Sequence, residues 1–164
     1  MRTDPRFRPG PSALPDDGVF RIVYTGSLTV MKGIPVLIDA FQQLGLKESE
    51  LRLIGGWSTR GMRKYMREAM AKDQRIHLSP GDPLPHLQRA NAYVHPTWED
   101  GWAYAAAEAV ACGVPTIVTA DTGMKEIIAD GKTGYVVPTG DAAAIAERLW
   151  QIRNGAFSNT KWTC

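Results

Sequence analysis

Between residues 19 and 152, short apolar runs alternate with segments of helical period, and this order restricts the fold more than any other feature of the 164-residue chain. The run Phe20-Arg21-Ile22-Val23-Tyr24-Thr25 reads as a strand, and residues 35–44 follow as a helix with Ile34, Leu37, Ile38, Phe41 and Leu44 at core spacing. The same reading predicts strands at 51–54, 76–78, 92–95, 116–119 and 135–137. Helices are predicted at 60–72, 84–90, 124–129 and 142–152, and an alanine-rich one beginning near residue 101 stops at Gly113 and Pro115. Strands separated by helices pair in parallel, because the helix carries the chain back to the end of the sheet at which the previous strand began. The expected fold class is therefore α/β: a Rossmann-like parallel sheet of about six strands with helices on both faces. Ligands on such sheets bind at the carboxyl ends of the strands, near the switch in strand order. Residues 1–18, with Pro5, Pro9, Pro11 and Pro15, read as a linker or tail, residues 19–154 as one domain, and residues 155–164 as a truncated C-terminal tail.

Composition excludes several classes. A net charge of +2 is too small to argue for nucleic acid, and 44% hydrophobic with 22% charged residues is ordinary for a globular protein. Cys112 and Cys164 make no disulfide framework and fit a reducing compartment. The start carries Arg2, Asp4, Arg6 and Arg8 rather than an apolar run, so no signal peptide is read there, and no window approaches a transmembrane span. A cytoplasmic location is expected. His77, His86 and His95 lack ligand spacing for zinc.

The segment Glu99-Asp100-Gly101-Trp102-Ala103-Tyr104-Ala105-Ala106-Ala107-Glu108 places two acidic residues and a glycine before a helix of small side chains that carries one carboxylate. Small side chains let a flat ligand lie close, and the first amides, read as Gly101 to Tyr104, suit an anion. Glu108 lies about 12 Å beyond Asp100 on a helical rise and on roughly the same side. That is the reach of a molecule with hydroxyls at both ends and a diphosphate between, such as a nucleotide sugar. The plain alternative is an acidic N-cap and a surface glutamate. Upstream, Gly26 to Gly33 joins the first strand to its helix, and Lys32 stands where a helix dipole disfavours a cation unless an anion is shared. The order of a P-loop is absent. Gly55-Gly56-Trp57 follows the second strand, and Ser79-Pro80-Gly81 the third.

In this order, the motifs resemble the signature of retaining glycosyltransferases of the GT-B fold, group 1 type. In that signature an acidic residue precedes Gly-Phe-Gly-Leu, and a Glu follows eight positions after the first acid. The likeness continues through Ala109-Val110-Ala111-Cys112-Gly113-Val114-Pro115, Thr122-Gly123, Glu126 and Asp130-Gly131 to Gly134-Tyr135-Val136-Val137-Pro138. Upstream, Tyr24-Thr25-Gly26-Ser27 with Lys32-Gly33 resembles the first strand and phosphate loop, and Asp4-Pro5-Arg6-Phe7-Arg8-Pro9 resembles the entry linker. The resemblance implies a C-terminal, donor-binding half of a GT-B fold that moves a sugar from a nucleoside diphosphate sugar to an acceptor. A missing N-terminal acceptor-binding domain would be its partner.

The resemblance further implies that Glu108 binds ribose hydroxyls, Asp100 meets hydroxyls of the donor sugar, and Lys32 meets the diphosphate. The amides of Gly101, Trp102, Ala103 and Tyr104 would face sugar and phosphate. Gly26, Ser27, Gly55, Gly56 and Ser79 would line the donor site. It implies neither a metal nor a cofactor, because side-chain cations and a helix end serve the diphosphate. Six positions depart from the pattern: Ser27 stands for an arginine, Ser79 for a glycine, Asp100 for the first Glu, Trp102 for Phe, and Ala103-Tyr104 for Gly-Leu. The alternative is a stand-alone nucleotide-sugar binding module without turnover. An epimerase of related fold would need acid and base residues that the sequence does not place. Arg60, Arg63, Lys64 and Arg67 read as a solvated helix face, with peripheral contact to anionic lipid or an acidic acceptor as the alternative.

Overall fold

A computed structural model describes residues 4–10, 15 and 17–157. Residues 1–3, 11–14 and 16 of the expected linker and 158–164 of the expected C-terminal tail lie outside that set. Six parallel strands form one sheet: β1 (Phe20–Thr25), β2 (Ser49–Ile54), β3 (Ile76–Ser79), β4 (Ala92–His95), β5 (Thr116–Thr119) and β6 (Gly134–Val137), in the order β3-β2-β1-β4-β5-β6. The register runs without slippage from Phe20 opposite Ser49 to Thr25 opposite Ile54, and β4 joins the other side of β1 at Ile22 and Val23. Strand order reverses between β1 and β4, which makes the carboxyl ends of these two strands the crevice of a doubly wound sheet.

Alternation of side chains along each strand divides the core into two layers. On one face Ile22, Tyr24, Leu51, Leu53, Val94 and Ile117 pack against α1 (Ile34–Leu44), α2 (Arg60–Lys72) and α5 (Ala142–Arg153), through Leu37, Phe41, Met66, Ile145 and Leu149. On the other, Val23, Ile54, Tyr93 and Val118 meet α3 (Leu84–Leu87), α4 (Tyr104–Ala111) and Met124. Full burial of a side chain such as Leu37 or Phe41 contributes about 1.5–3 kcal/mol. Phe7, within the segment read as a linker, joins the second layer and is buried, as is Phe157 in the first. The basic stripe of α2 is exposed opposite buried Met62 and Met66.

Two predicted helices end sooner than expected. The 84–90 segment is helical only through Leu87. The 124–129 segment is a single 3₁₀ turn at Gly123–Glu126, begun by the N-cap Thr122 and not extended through Ala129, whose amide goes to Thr133 Oγ1. A side chain that claims a backbone amide in this way stops helical bonding there.

Candidate functional site

The site is set by how the helices at the switch point begin. In α2 and α5 the first amides are met by their own N-cap side chains, Thr59 accepting from Met62 N and Asp141 from Ala144 N. In α1 and α4, which follow β1 and β4, no N-cap side chain accepts an amide. The N-cap of α1 is Gly33, left-handed at φ 72°, and a Cβ there would sit 1.9 Å from the Pro96 carbonyl oxygen. This close approach seats the loop after β1 against the end of β4. Trp98 N and Thr97 Oγ1 both donate to Met31 O, at 2.9 and 3.2 Å, and stitch the same two loops together. At the start of α1, Gly33 N and Ile34 N are taken by Val30 O and Thr29 O and Pro35 has no N–H, so what this end offers an anion is mainly its dipole and Lys32 beside it.

Lys32, Asp100 and His95 come together there. Lys32 Nζ lies 2.5 Å from Asp100 Oδ2, and His95 Nε2 lies 3.1 Å from the same oxygen. Asp100 is thus the anion that makes a lysine acceptable at the start of α1, a partnership sixty-eight residues apart that sequence spacing does not show. Burial pushes the Asp100 carboxyl upward, but hydrogen bonds from Lys32 and His95 outweigh it and hold the group below the usual carboxylate range. His95 is only 3% exposed. Burial lowers its pKa despite the pull of Asp100. Sequence reasoning gave His95 a structural role; its end-of-strand position one turn of chain before an acidic loop was the available signal.

Asp100 and Glu108 are not on one continuous helix. The expectation that the helix begins at Gly101 is corrected: α4 starts at Tyr104, with Ala103 as N-cap. The loop after β5 causes the delay. Asp100 N donates to Asp121 O at 3.3 Å, Gly123 N donates to Gly101 O at 2.9 Å, and Asp100 pairs with Thr122 in an isolated parallel bridge. With their backbones held in this extended pairing, Asp100 and Gly101 cannot turn into the helix. The helix-terminal amides are therefore those of Tyr104 and Ala105, while Gly101 and Trp102 belong to the loop. Glu108 sits in the middle of α4, half-buried, and its charge is felt by Arg6, Asp4 and Asp82 rather than by Lys32. Burial raises its pKa, with Asp4 adding to the effect and Arg6 opposing it. The two carboxylates thus stand apart, with the start of α4 between them.

The remaining candidates line the same end of the sheet. A Cβ on Gly55 would meet Gly26 O at 1.9 Å, so both loops pass each other backbone to backbone. Ser27 is exposed and its carbonyl accepts the Tyr24 hydroxyl at 2.9 Å, while Gly56 is exposed and receives Leu28 N at 2.8 Å. Ser79 ends β3, two strands from the crevice. Trp102 and Tyr104 are exposed beside the acidic loop. A hollow of about 500 Å³, lined by Trp98, Glu99, Asp121, Thr122, Gly123 and Lys125, opens next to Asp100; the sequence reading did not single it out. Among the described residues no cluster of three His, Cys, Asp or Glu side chains could hold a metal ion, and no helix is long and apolar enough to cross a membrane.

Comparison with known proteins bears on the family and the fold. The family model described as Glycosyl transferases group 1 matches residues 11–162. The capsular polysaccharide biosynthesis glycosyltransferase CapM of Staphylococcus aureus is 31% identical over 140 residues, which is 82% of this chain and 37% of CapM. Among solved structures, HepE of Anabaena in complex with UDP superposes with a TM-score of 0.77 at 18% identity, covering 88% of this chain and 42% of that one. The C-terminal domain of a glycosyl transferase group 1 family protein (LpcC) from Francisella tularensis gives a TM-score of 0.70 at 21% identity, with 93% and 83% covered. The chain therefore spans somewhat over a third of the curated relative it matches.

Proposed function

The chain belongs to the glycosyl transferases group 1 family, and from that premise we propose that it is the donor-binding part of a retaining glycosyltransferase that uses a nucleoside diphosphate sugar. The observation that supports this reading is the ion pair of Lys32 and Asp100 at the switch point, where α1 and α4 both begin without an N-cap side chain. Fold and coverage support the assignment to the C-terminal half: the isolated C-terminal domain of LpcC is matched over 83% of its length. An N-terminal acceptor-binding domain would be the partner that completes the cleft.

In this reading the diphosphate lies across the starts of α1 and α4. Its negative charge draws the Lys32 ammonium away from Asp100, and helix-terminal amides complete the electrostatic contact. As the bond from the anomeric carbon to the leaving phosphate oxygen lengthens, charge collects on that oxygen, where Lys32 and the amides already point; such preorganised donors supply the largest share of catalysis in many enzymes. Asp100 accepts hydroxyls of the sugar, and Glu108 accepts both ribose hydroxyls. Retention follows if the acceptor hydroxyl attacks on the face from which the diphosphate departs, its oxygen bonding to the anomeric carbon as the bond to the phosphate oxygen breaks and its proton passing to that departing oxygen.

Calorimetric titration with UDP, GDP and ADP tests the reading. One of them should bind, and binding by none of the three would overturn it. Lys32→Ala is expected to weaken the bound nucleoside diphosphate at least tenfold while changing affinity for the bare nucleoside less than about twofold, since a charge-assisted contact is worth roughly 1.5–3 kcal/mol. Equal losses for both ligands would mean that the lysine acts through structure.

A pH series gives a second check. Burial raises the Glu108 pKa, so the carboxylate needed for the ribose is lost on acidification earlier than an ordinary glutamate would be. Wild-type affinity should fall through that raised pKa as pH drops, and Glu108→Gln should lack this step, keeping only the titration of the diphosphate itself. The sign for stability is the reverse. A carboxyl with a raised native pKa favours the fold below its unfolded pKa, and that contribution disappears as pH rises through the native value.

A further inference from the structure

We propose that His95 is a positioning residue for the donor sugar: it keeps the Asp100 carboxylate aimed after Lys32 has turned to the diphosphate. This rests on the reading of Asp100 as the sugar's partner. Both partners of Asp100 meet the same oxygen, Oδ2, with Lys32 Nζ at 2.5 Å and His95 Nε2 at 3.1 Å. Oδ1 carries no hydrogen bond among the described residues, so it is the oxygen left for a sugar hydroxyl. Lys32 is a flexible point charge with a third of its side chain exposed, and a diphosphate competes for it directly. His95 cannot move in the same way. It is buried at the end of β4, its ring lies nearly parallel to those of Tyr24 and Tyr93, at 14° and 12°, and centroids are 6.2 and 6.4 Å away.

The contacts on the two sides of His95 assign its proton. Thr25 Oγ1 lies 3.3 Å from the Tyr93 hydroxyl, which lies 3.4 Å from His95 Nδ1. The Asp100 carboxylate can only accept, so a neutral imidazole holds its proton on Nε2, facing Asp100, and leaves Nδ1 as an acceptor beside the Tyr93 hydroxyl, which also lies 3.4 Å from the Thr25 carbonyl oxygen. The groups that face the ring are Asp100, Lys32, Tyr24 and Tyr93; burial keeps both tyrosines protonated and favours the neutral form of the histidine. A neutral N–H donor orients the carboxylate without cancelling its charge. The line from Thr25 at the end of β1 through Tyr93 and His95 on β4 thus runs from the sheet to the sugar end of the site.

Two measurements test this. In the chain without nucleotide, ¹⁵N spectra of the imidazole should show a neutral ring protonated on Nε2 at neutral pH; an imidazolium or a proton on Nδ1 would overturn the proposal. In binding, UDP-glucose, GDP-mannose and ADP-glucose are each compared with the parent diphosphate. His95→Phe should lower affinity for the sugar nucleotide about tenfold and that for the diphosphate less than about twofold, the loss of one hydrogen bond to a charged group. His95→Gln, whose amide N–H reaches the Nε2 position, should recover most of the loss. Tyr93→Phe, which removes only the hydroxyl from the relay, should give an intermediate loss, and it keeps the test open should His95→Phe not fold. An equal loss for both ligands, or no recovery by His95→Gln, would overturn the proposal while leaving the donor reading intact. Failure of every nucleotide to bind the wild-type chain would overturn both.

Discussion

Glu108→Ala is expected to lower nucleoside diphosphate affinity by roughly 30- to 900-fold, the equivalent of about 2–4 kcal/mol for two charge-assisted hydrogen bonds to ribose hydroxyls. The fold should survive. Glu108 lies on a face of α4 that is only half-buried, alanine is the strongest helix former, and removal of a carboxylate whose pKa is raised by burial relieves a cost. The variant should therefore keep its far-ultraviolet circular dichroism and melt no lower than the parent. Affinity measured by calorimetry for the ribonucleotide and for its 2′,3′-dideoxy analogue separates the roles. Wild type should prefer the ribonucleotide strongly, and Glu108→Ala should bind both alike. Unchanged affinity in the variant would remove the ribose assignment.

Gly33→Ala should cost about 3 kcal/mol or more of stability, roughly 6–12 °C in melting temperature for a domain of this size. Its φ of 72° is unfavourable to any side chain, and the new methyl would lie 1.9 Å from Pro96 O, inside van der Waals contact. Relief requires the loop after β1 to lift from the end of β4, which also separates Lys32 from Asp100. The expected result is a lower melting temperature together with a weakened diphosphate site. Gly131→Ala makes a suitable control: its φ is also 72°, but nothing lies within 4 Å of the added methyl, so it should lose only the conformational part, about 1 kcal/mol. Equal effects at both positions would show that close approach at Gly33 is not what holds the loops together.

The fold was legible in the chain because its strands and helices announce themselves by different periods. β1, β4 and α2 lie at the residues read from the sequence, and the strand number agrees. The overestimates were local. Residues 84–90 and 124–129 have helical composition, but helix length there is settled by who bonds the amides, as Thr133 Oγ1 does for Ala129. At the site, residue types were readable and partnerships were not. Lys32 looked misplaced at a helix start; Asp100, which explains it, lies sixty-eight residues away in the chain. The start of α4 was misjudged for the same reason, since nothing near Gly101 in sequence reveals that Asp121 and Gly123 hold its backbone. His95 could be recognised as unusual at the end of a buried strand, but its contact with Asp100 depends on how that loop folds back.

The bonds between the loops after β4 and β5 also bear on how such a site can change over generations. Because Asp100 and Gly101 are fastened to Asp121 and Gly123 backbone to backbone, an insertion in either loop would have to be matched in the other to keep both amides paired. Length is therefore costly to vary here, whereas side-chain identity is free. Trp98, Glu99, Trp102 and Lys125 are exposed on this shared frame, and none of their side chains supplies the backbone bonds that aim Asp100. Lineages descended from such a chain should diversify their choice of sugar by point substitution at these positions, on a frame of constant length.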